Sequence, residues 1–304
     1  MKIFLVYNPQ AGSGRARGLI QPICDYLSQC QIEFELRLTE REGHATEIVA
    51  AEDLSQYDAI VASGGDGTLF EVVNGYQQNN GQAKAPLALL PNGTGNAFMK
   101  ELGLKAGDWK RAVDIIAMAK PRKIDIGRFT HDKQVRYFIN MVGMGFVTKV
   151  AHTAIKLKWL GNVSYTVGTL LKLINLKAQK MTLEIDGKQI VRQGVFVEVA
   201  NSTFTGTNFL MAPKAKLDDG LLDVVLLNDI SRFRLLRLFT SIYDGSHINY
   251  PELEYFQAKS ITVEEENPDQ LIPDGEVMAG TPVTFECLPK AVDFLWDPAL
   301  VETK

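Results

Sequence analysis

The first third of the chain alternates short apolar runs with amphipathic segments. Four short strands are predicted, at residues 3–7, 32–38, 58–62 and 87–90. Helices are predicted between and after them, near residues 19–27, 44–54, 69–77 and 97–102. Strands this short and apolar, separated by helices, are typical of a mostly parallel sheet covered by helices on both faces.

After about residue 125 the pattern changes to strands with few helices. Six strand-like runs follow, at residues 139–142, 181–185, 195–199, 223–227, 261–263 and 283–287. Asp186-Gly187 is a hairpin signal, and helical patterns cover residues 148–179, in one or two pieces, and 231–243. We therefore predict an α/β first domain and an antiparallel, β-rich second domain.

Composition and charge narrow the function classes. The 304 residues are 46% hydrophobic and 22% charged, which suits one large or two ordinary globular domains. A net charge of −4 argues against nucleic acid as the main partner. The apolar N-terminal run stops at Asn8, too short for a signal sequence, and no run approaches the roughly 18 apolar residues of a spanning helix. We expect a cytoplasmic protein whose membrane contact is peripheral.

The cysteines and histidines suggest no metal or catalytic centre. Cys24, Cys30 and Cys287 are odd in number and match no zinc-ligand spacing, which suits unpaired thiols in a reducing compartment. The histidines show neither metal spacing nor triad partners, and we expect all four to be surface residues or caps: His44, His131, His152 and His247.

Three glycine-rich loops each follow a predicted strand and precede a predicted helix. They are residues 8–14, 63–68 and 91–96. In parallel sheets, ligands bind at the loops leaving the carboxyl ends of strands. Glycines let the backbone approach an oligophosphate, and a helix start attracts anions. Asp66 suits a Mg²⁺ ion or an ordered water beside phosphates, although a tight turn with Asp66 as a helix cap gives the same pattern.

Neither common phosphate-binding fingerprint is present. Gly12, Gly14 and Gly18 miss the dinucleotide spacing by one residue, and no Walker sequence occurs.

An ordered series of motifs runs along the chain: Asn8-Pro9 with Gly12 and Gly14, residues 64–68 with 71–75, 91–96, 140–146, Asn201, 218–223 and 274–276. This series resembles the diacylglycerol kinase catalytic-domain family, which includes sphingosine and ceramide kinases. The second loop alone is shared with NAD kinases, but the complete series spans nearly the whole chain. Two positions depart from the family pattern: Phe70 replaces a common Asn, and Thr205-Gly206-Thr207 replaces a more Gly-rich run.

The resemblance implies a fold and an activity. The fold is an α/β parallel-sheet nucleotide-binding domain at residues 1–124, joined by the tail 291–304, and a β-rich, sandwich-like lipid-substrate domain at 125–290. ATP is expected in the cleft between them. The implied reaction transfers the γ-phosphoryl group of ATP to a lipid hydroxyl with Mg²⁺.

The resemblance also implies site residues. ATP contacts fall on Asn8, Thr39, Gly65, Asp66, Gly67, Thr68, Glu71 and Thr94. Glu276 matches the proton acceptor, although an exposed Glu after an Asp274-Gly275 turn needs no function. A structural Mg²⁺ is implied at Asp219 with the carbonyls of Lys216 and Leu221. Asp125 is a lesser candidate for the catalytic metal network, and a strand-end Asp is an equal alternative.

Two rival functions stay open at this stage. An NAD kinase shares the second loop but lacks a counterpart of residues 91–96, and a regulatory protein could keep the loops without turnover. Retention of Asp66 and Glu276 counts against the latter.

The distribution of basic residues suggests a membrane surface. No Asp or Glu lies between Asp132 and Glu184, a window with eight lysines and arginines. The region 156–180 interleaves them with apolar residues, and 232–239 is a second such stretch. The pattern suits docking on anionic membranes, although an ordinary amphipathic helix packing into the second domain looks the same.

Overall fold

The computed structural model describes residues 1–81, 85–156, 176–206, 208–267, 271–274 and 282–297. The chain divides into two compact units. Unit 1 comprises Met1–Ile124 with Lys290–Lys304, and unit 2 comprises Asp125–Pro289. Glu276 and most of the basic region 156–180 lie outside the described residues.

Unit 1 contains the predicted alternation of strands and helices. Its strands are β1 Lys2–Tyr7, β2 Glu33–Leu38, β3 Ala59–Gly64 and β4 Leu87–Pro91. Its helices are α1 Ile20–Gln29, α2 His44–Ala51, α3 Asp66–Gln78, α4 Ala97–Glu101 and α5 Trp109–Met118. Helix α3 begins three residues before the predicted start. Gly65 is its N-cap, and Gly67 adopts a helical conformation in its first turn. Helix α5 was missed, although Val113 and Ile116 form a buried stripe at helical spacing.

The sheet of unit 1 is parallel, with strand order β2-β1-β3-β4. Strand β1 therefore pairs with β2 on one side and β3 on the other. This is the reversal point of an open α/β sheet, where a crevice forms beyond the carboxyl ends of the strands. The loops after β1 and β3 leave the sheet at that point.

The end of the chain returns to unit 1. Strand β16, Val283–Leu295, places Phe294 beside Leu87 of β4 in a parallel pairing. The Phe294 ring lies 5.1 Å from the ring of Phe98 on α4, and both side chains are fully buried. The Trp296 amide then donates a hydrogen bond to the carbonyl of Lys120.

Unit 2 is built mainly from antiparallel strands. In chain order these are β5 Pro121–His131, β6 Gln134–Phe138, β7 Met141–Gly145, β8 Gln179–Ile185, β9 Lys188–Ala200, β10 Phe204–Thr205, β11 Phe209–Leu210, β12 Leu222–Asn228, β13 Leu253–Ala258, β14 Ser260–Glu265, β15 Leu271–Pro273 and the first part of β16. Long strand β9 pairs with β8 in its first half and lies between β7 and β12 in its second. The predicted fold class is confirmed, with a parallel α/β unit and a β-rich unit.

Helices α6, Phe146–Lys156, and α7, Arg232–Ser241, belong to unit 2. The prediction of helix up to residue 179 is wrong at its end, because β8 starts at Gln179 and pairs with β9. The Asp186-Gly187 hairpin between these strands is confirmed. None of the helices within the described ranges has the length and apolarity needed to cross a membrane.

Two further features of unit 2 differ from expectation. The β5–β6 hairpin was missed, because its turn uses Asp132 and Lys133 at positive φ rather than a glycine. His247 is fully buried, not a surface residue, and its Nε2 lies 2.9 Å from the carbonyl oxygen of Met211. Burial lowers the pKa of His247.

Candidate active site

The carboxyl ends of the strands of unit 1 lie in register. Tyr7 pairs with Leu38 and with Ser63, and Gly64 pairs with Pro91. The segments that follow these strands, which begin at residues 8, 39, 65 and 92, consequently leave the sheet at the same end. The structure thus brings the three glycine-rich loops together in unit 1.

Glycines allow these loops to touch through their backbones. A Cβ added to Gly93 would lie 2.4 Å from the Cα of Gly65, inside any real contact distance. A Cβ on Gly12, whose φ is +61°, would lie 2.8 Å from the carbonyl oxygen of Asn92. The glycines are therefore required for mutual approach of the loops, in addition to any approach of a phosphate.

Side-chain and backbone hydrogen bonds join the same loops. The side-chain Nδ2 of Asn8 donates a hydrogen bond to Thr68 Oγ1 at 3.1 Å, and the side-chain Nδ2 of Asn92 donates one to Ser63 Oγ at 2.7 Å. The backbone amides of Asn92 and Gly93 both donate to the carbonyl of Gly64. Ser63 and Asn92 were seen in the sequence as loop residues only, and the structure shows that they link neighbouring strand ends.

Gly93→Ala is expected to push the second and third loops apart, because the new methyl group meets the Gly65 backbone rather than a flexible side chain. We expect a loss of about 1–3 kcal/mol in the free energy of unfolding and weaker nucleotide binding. Chemical denaturation and nucleotide titration measure the two effects. Gly18→Ala is the matched control, since nothing lies within 4 Å of its Cβ position. Equal behaviour of the two variants would contradict the packing argument.

Two acidic residues, Asp66 of the second loop and Glu71 of α3, accept hydrogen bonds from backbone amides at the starts of other helices. Asp66 accepts backbone hydrogen bonds from Ala97 at 2.9 Å and Phe98 at 3.3 Å, at the start of α4. Glu71 accepts from Gly43 and Ala45, both at 2.9 Å, at the start of α2. Carboxylates at helix starts are favoured by the exposed N–H groups and the helix dipole. Asp66 is thus a cap, but of the helix after the third loop rather than of its own helix.

The other predicted nucleotide contacts occupy the same edge. Thr39 follows β2 directly, is 8% exposed and donates its amide hydrogen to the Tyr7 carbonyl at 2.9 Å. Thr94 is exposed at the tip of the third loop, and Gly67 lies in the first turn of α3. Gly65, the N-cap of α3, provides no side-chain cap. The first turn of this 13-residue helix is therefore a favourable place for a phosphate.

Unit 2 holds its own buried polar network, built from the motif residues of the second half. The side-chain amide of Asn201 donates to the carbonyls of Asp125 at 3.0 Å and Ile139 at 2.9 Å. Ser202 donates to the Asn140 side chain. Asp125 is fully buried, and its Oδ2 accepts from the Gly220 amide at 2.6 Å. The network therefore ties Asp125 to the predicted metal segment.

Asp274 anchors the strand that leads to the predicted base. Its buried carboxyl group accepts backbone hydrogen bonds from Ile139, Asn140 and Met141 at 2.9–3.0 Å. Burial raises the pKa of Asp274 to about 7, and the three amides act in the opposite direction. The sequence marked Asp274 as a turn and motif residue but gave no sign of its partners, which lie more than 130 positions earlier. Gly275 and Glu276 follow it outside the described residues.

The predicted metal segment concentrates negative charge. Asp219 is exposed, and its Oδ1 accepts from the Leu221 amide at 3.1 Å. Burial, together with the charge of the nearby Asp219, raises the pKa of Asp223 to about 6, against the opposing effect of the Tyr255 hydrogen bond. Burial, then the charges of Asp125 and Asp219, raise the pKa of Cys287 to about 12.

The donor set fits one hard cation held mostly by carbonyls. The Oδ2 atom of Asp223 is buried without a partner in the described part of the chain. In that same part, no three His, Cys, Asp or Glu side chains are arranged to hold a metal. One carboxylate with backbone carbonyls, as predicted for Asp219, Lys216 and Leu221, is a ligand set that Mg²⁺ or Ca²⁺ accepts. Asp66 and Asp125 lie in different units.

Two protein families match the chain. The diacylglycerol kinase catalytic domain matches residues 2–129, and the YegS C-terminal NAD kinase beta sandwich-like domain matches residues 140–296. Among solved structures, a Bacillus anthracis protein described as a candidate diacylglycerol kinase superposes with a TM-score of 0.82 at 26% identity. That comparison covers 99% of this chain and 98% of the other.

Three relatives match most of the length of this chain. A diacylglycerol kinase of Staphylococcus haemolyticus is 33% identical over 95% of this chain and 86% of its own length. A diacylglycerol kinase of Bacillus subtilis is 30% identical over 92% of this chain and 91% of its own. Sphingosine kinase 1 of Arabidopsis thaliana is 28% identical over 96% of this chain and 71% of its own.

Proposed function

Because the chain belongs to the diacylglycerol kinase family of lipid kinases, we propose that it transfers the γ-phosphoryl group of ATP to the hydroxyl of a diacylglycerol-like lipid. The observation that carries this proposal is the meeting of three glycine-rich loops at one sheet edge, with the start of α3 among them. Glycines and helix starts of this kind bind the phosphates of a nucleotide. Asn8, Thr39, Thr68 and Thr94 supply polar groups around them.

In this reaction the protein mainly positions the reactants and stabilises charge. The lipid oxygen attacks the γ-phosphorus, the bond to the β-phosphate oxygen breaks, and the hydroxyl proton passes to a carboxylate, which we assign to Glu276. The position of Asp274 supports this assignment. Three backbone amides bind its carboxyl group and so fix the chain two residues before Glu276. Mg²⁺ supplies neutralisation of the phosphate charge when it is bound. We assign Asp66, in unit 1, to the group of charges beside the phosphates.

An assay with labelled ATP tests the proposal against its rivals. Purified protein is incubated with Mg²⁺, ATP and either diacylglycerol, a sphingoid base, phosphatidylglycerol or NAD, and the products are separated by thin-layer chromatography. We expect a labelled lipid and no labelled NADP. Labelling of NAD alone would establish the NAD kinase alternative, and ATP binding without any product would establish the regulatory one.

We expect Asp219→Ala to reduce the stabilising effect of Mg²⁺. An ion that binds the folded protein raises its Tm by mass action, and Asp219 is the side chain assigned to that ion. Thermal unfolding with and without added Mg²⁺ measures the response. Asp218→Ala removes the neighbouring exposed carboxylate and is the matched control. The site would be elsewhere if both variants kept the full response of the wild type.

A soluble lipid kinase must reach a bilayer, and α7 offers a surface for it. Phe233 is 87% exposed on this helix, while Leu235 and Leu238 are buried on its opposite face. Arg234 pairs with Glu252. Arg232 and Arg237 are exposed and form no ion pair among the described residues. An exposed aromatic ring between arginines suits insertion into an anionic membrane surface.

We propose that α7 makes this peripheral contact, from the cytoplasmic side. Each basic residue near an anionic surface contributes about 1 kcal/mol, so Arg232→Ala with Arg237→Ala is expected to lower vesicle affinity about thirtyfold. Phe233→Ala is expected to weaken binding as well. Co-sedimentation with vesicles of increasing phosphatidylglycerol content, at low and high salt, measures it. Val191→Ala, an exposed apolar residue on β9, is the control. Binding that is insensitive to salt and to these changes would contradict the proposal.

A further inference from the structure

One carboxyl group of unit 2 lies inside an otherwise apolar layer. Glu198, on β9, is 5% exposed. Phe196 and Ala200 share its face of the strand, and Val225 of β12 lies directly across from it. These neighbours belong to a cluster of buried hydrophobic residues that includes side chains of α6 and α7, here called the apolar layer. A glutamate at this position is unexpected for a packing role.

A glycine on the neighbouring strand makes room for this carboxyl group. Gly143 of β7 pairs with Glu198. A Cβ added to Gly143 would lie 2.9 and 3.0 Å from the two carboxyl oxygens of Glu198. The same point is 2.8 Å from a methyl group of Val147 on α6. The carboxyl group is therefore held between the sheet and the first turn of α6.

Glu198 has no polar partner within the described residues. No hydrogen bond or ion pair reaches it there, and burial alone raises its pKa to about 8. At neutral pH the Glu198 carboxyl group is mostly protonated, so it has one O–H donor. Among the described residues, no acceptor is hydrogen-bonded to this donor. A buried donor left unpaired is destabilising relative to an apolar side chain of similar size. A hydrogen-bond acceptor carried by an apolar ligand would satisfy this donor.

We propose that Glu198 donates a hydrogen bond to an ester carbonyl of an acylglycerol whose acyl chain enters the apolar layer. The inference rests on the proposed lipid kinase activity and specifies its substrate class. An ester carbonyl is a neutral acceptor attached to an apolar chain, so it matches both the donor and its surroundings. Hydrophobic side chains that pack against the layer remain partly exposed, among them Val147, Leu176, Leu236 and Phe239. In this proposal the acyl chain reaches the layer past these partly exposed apolar side chains.

Ether analogues isolate this hydrogen bond. A dialkylglycerol has the same hydroxyl and chains as a diacylglycerol but no carbonyl. We expect the wild-type KM for the dialkylglycerol to be about tenfold higher, with kcat within about twofold, since one hydrogen bond is missing. Glu198→Leu is expected to raise the diacylglycerol KM about tenfold and to abolish the ester preference. Glu198→Gln keeps an N–H donor and is expected to retain the preference.

The Tm of variants distinguishes a role of Glu198 in lipid binding from a purely structural role. Lipid-free Glu198→Leu is expected to have a Tm equal to or above that of the wild type, since an unpaired polar group is removed. Val197→Ala is the control on the opposite face of the same strand. It is expected to lower Tm through a cavity while leaving the ratio of ester to ether KM unchanged.

Several results would overturn the inference. A wild-type protein that uses both lipids with equal KM, or a Glu198→Leu variant that keeps the ester preference, would remove Glu198 from substrate selection while leaving the lipid kinase function intact. A large fall in Tm for Glu198→Leu would show that the carboxyl group is already paired. Failure of the wild type to phosphorylate either lipid would overturn the proposed function together with this inference.

Discussion

Asp66→Ala is expected to lower kcat at least about 100-fold while the protein stays folded. The change removes a carboxylate assigned beside the phosphates, and loss of such a positioned group costs about two or more orders of magnitude. It also removes the two hydrogen bonds that the Ala97 and Phe98 amides donate to Asp66. The start of α4, which directly follows the third loop, is then no longer fixed to the second loop. Steady-state kinetics and circular dichroism measure the two consequences.

The capping role predicts a modest second effect for the same variant. Replacement of a capping carboxylate by alanine costs about 1 kcal/mol of stability. Asp53→Ala is the control, since Asp53 caps a short 3-10 helix in unit 1 through the Ser55 amide and lies in none of the three loops. Both variants are expected to lose similar stability, but only Asp66→Ala loses turnover. Activity near that of the wild type in Asp66→Ala would remove this residue from the mechanism.

Glu276→Gln is expected to lower kcat by about 10²–10⁴-fold, the usual contribution of a general base. The amide preserves the size of the side chain but cannot accept the hydroxyl proton. Because the interaction acts mainly in the transition state, ATP affinity is expected to stay near that of the wild type. Single-turnover kinetics and nucleotide titration separate the two quantities.

The control for this variant is Glu264→Gln, an exposed carboxylate on β14 of the same unit. It is expected to leave both kcat and ATP affinity unchanged. A Glu276→Gln enzyme that is impaired in ATP binding alone would assign the residue to the nucleotide and leave the base to be found elsewhere.

Local sequence signals were sufficient for most of unit 1. Apolar strands followed by glycine-rich turns predicted both the parallel sheet and the edge at which the loops meet, because strand burial and turn chemistry are properties of neighbouring residues. The partners of Asp66 and Asp274 were not predictable in this way. The Ala97 amide is 31 positions from Asp66, and the amides around Asp274 come from a strand that only the folded sheet brings near.

Unit 2 was harder to predict because its interior is not purely apolar. Glu198 interrupts a hydrophobic run, and His247 is fully buried with its Nε2 beside the carbonyl oxygen of Met211. Both residue types are seldom fully buried; His247 was predicted to be a surface residue or a cap, and no local signal singled out Glu198. Their positions depend on Gly143 and Met211, which are distant in sequence.

The return of β16 to unit 1 has a consequence for biosynthesis. Residues 125–289 leave the ribosome before Phe294 is available to pair with Leu87, so unit 2 can complete its pairings while unit 1 still lacks its last strand. During that interval the outer edge of β4 is an open template for another chain. We therefore expect C-terminal truncation at residue 289 to favour aggregation during synthesis over the release of a stable, merely inactive protein.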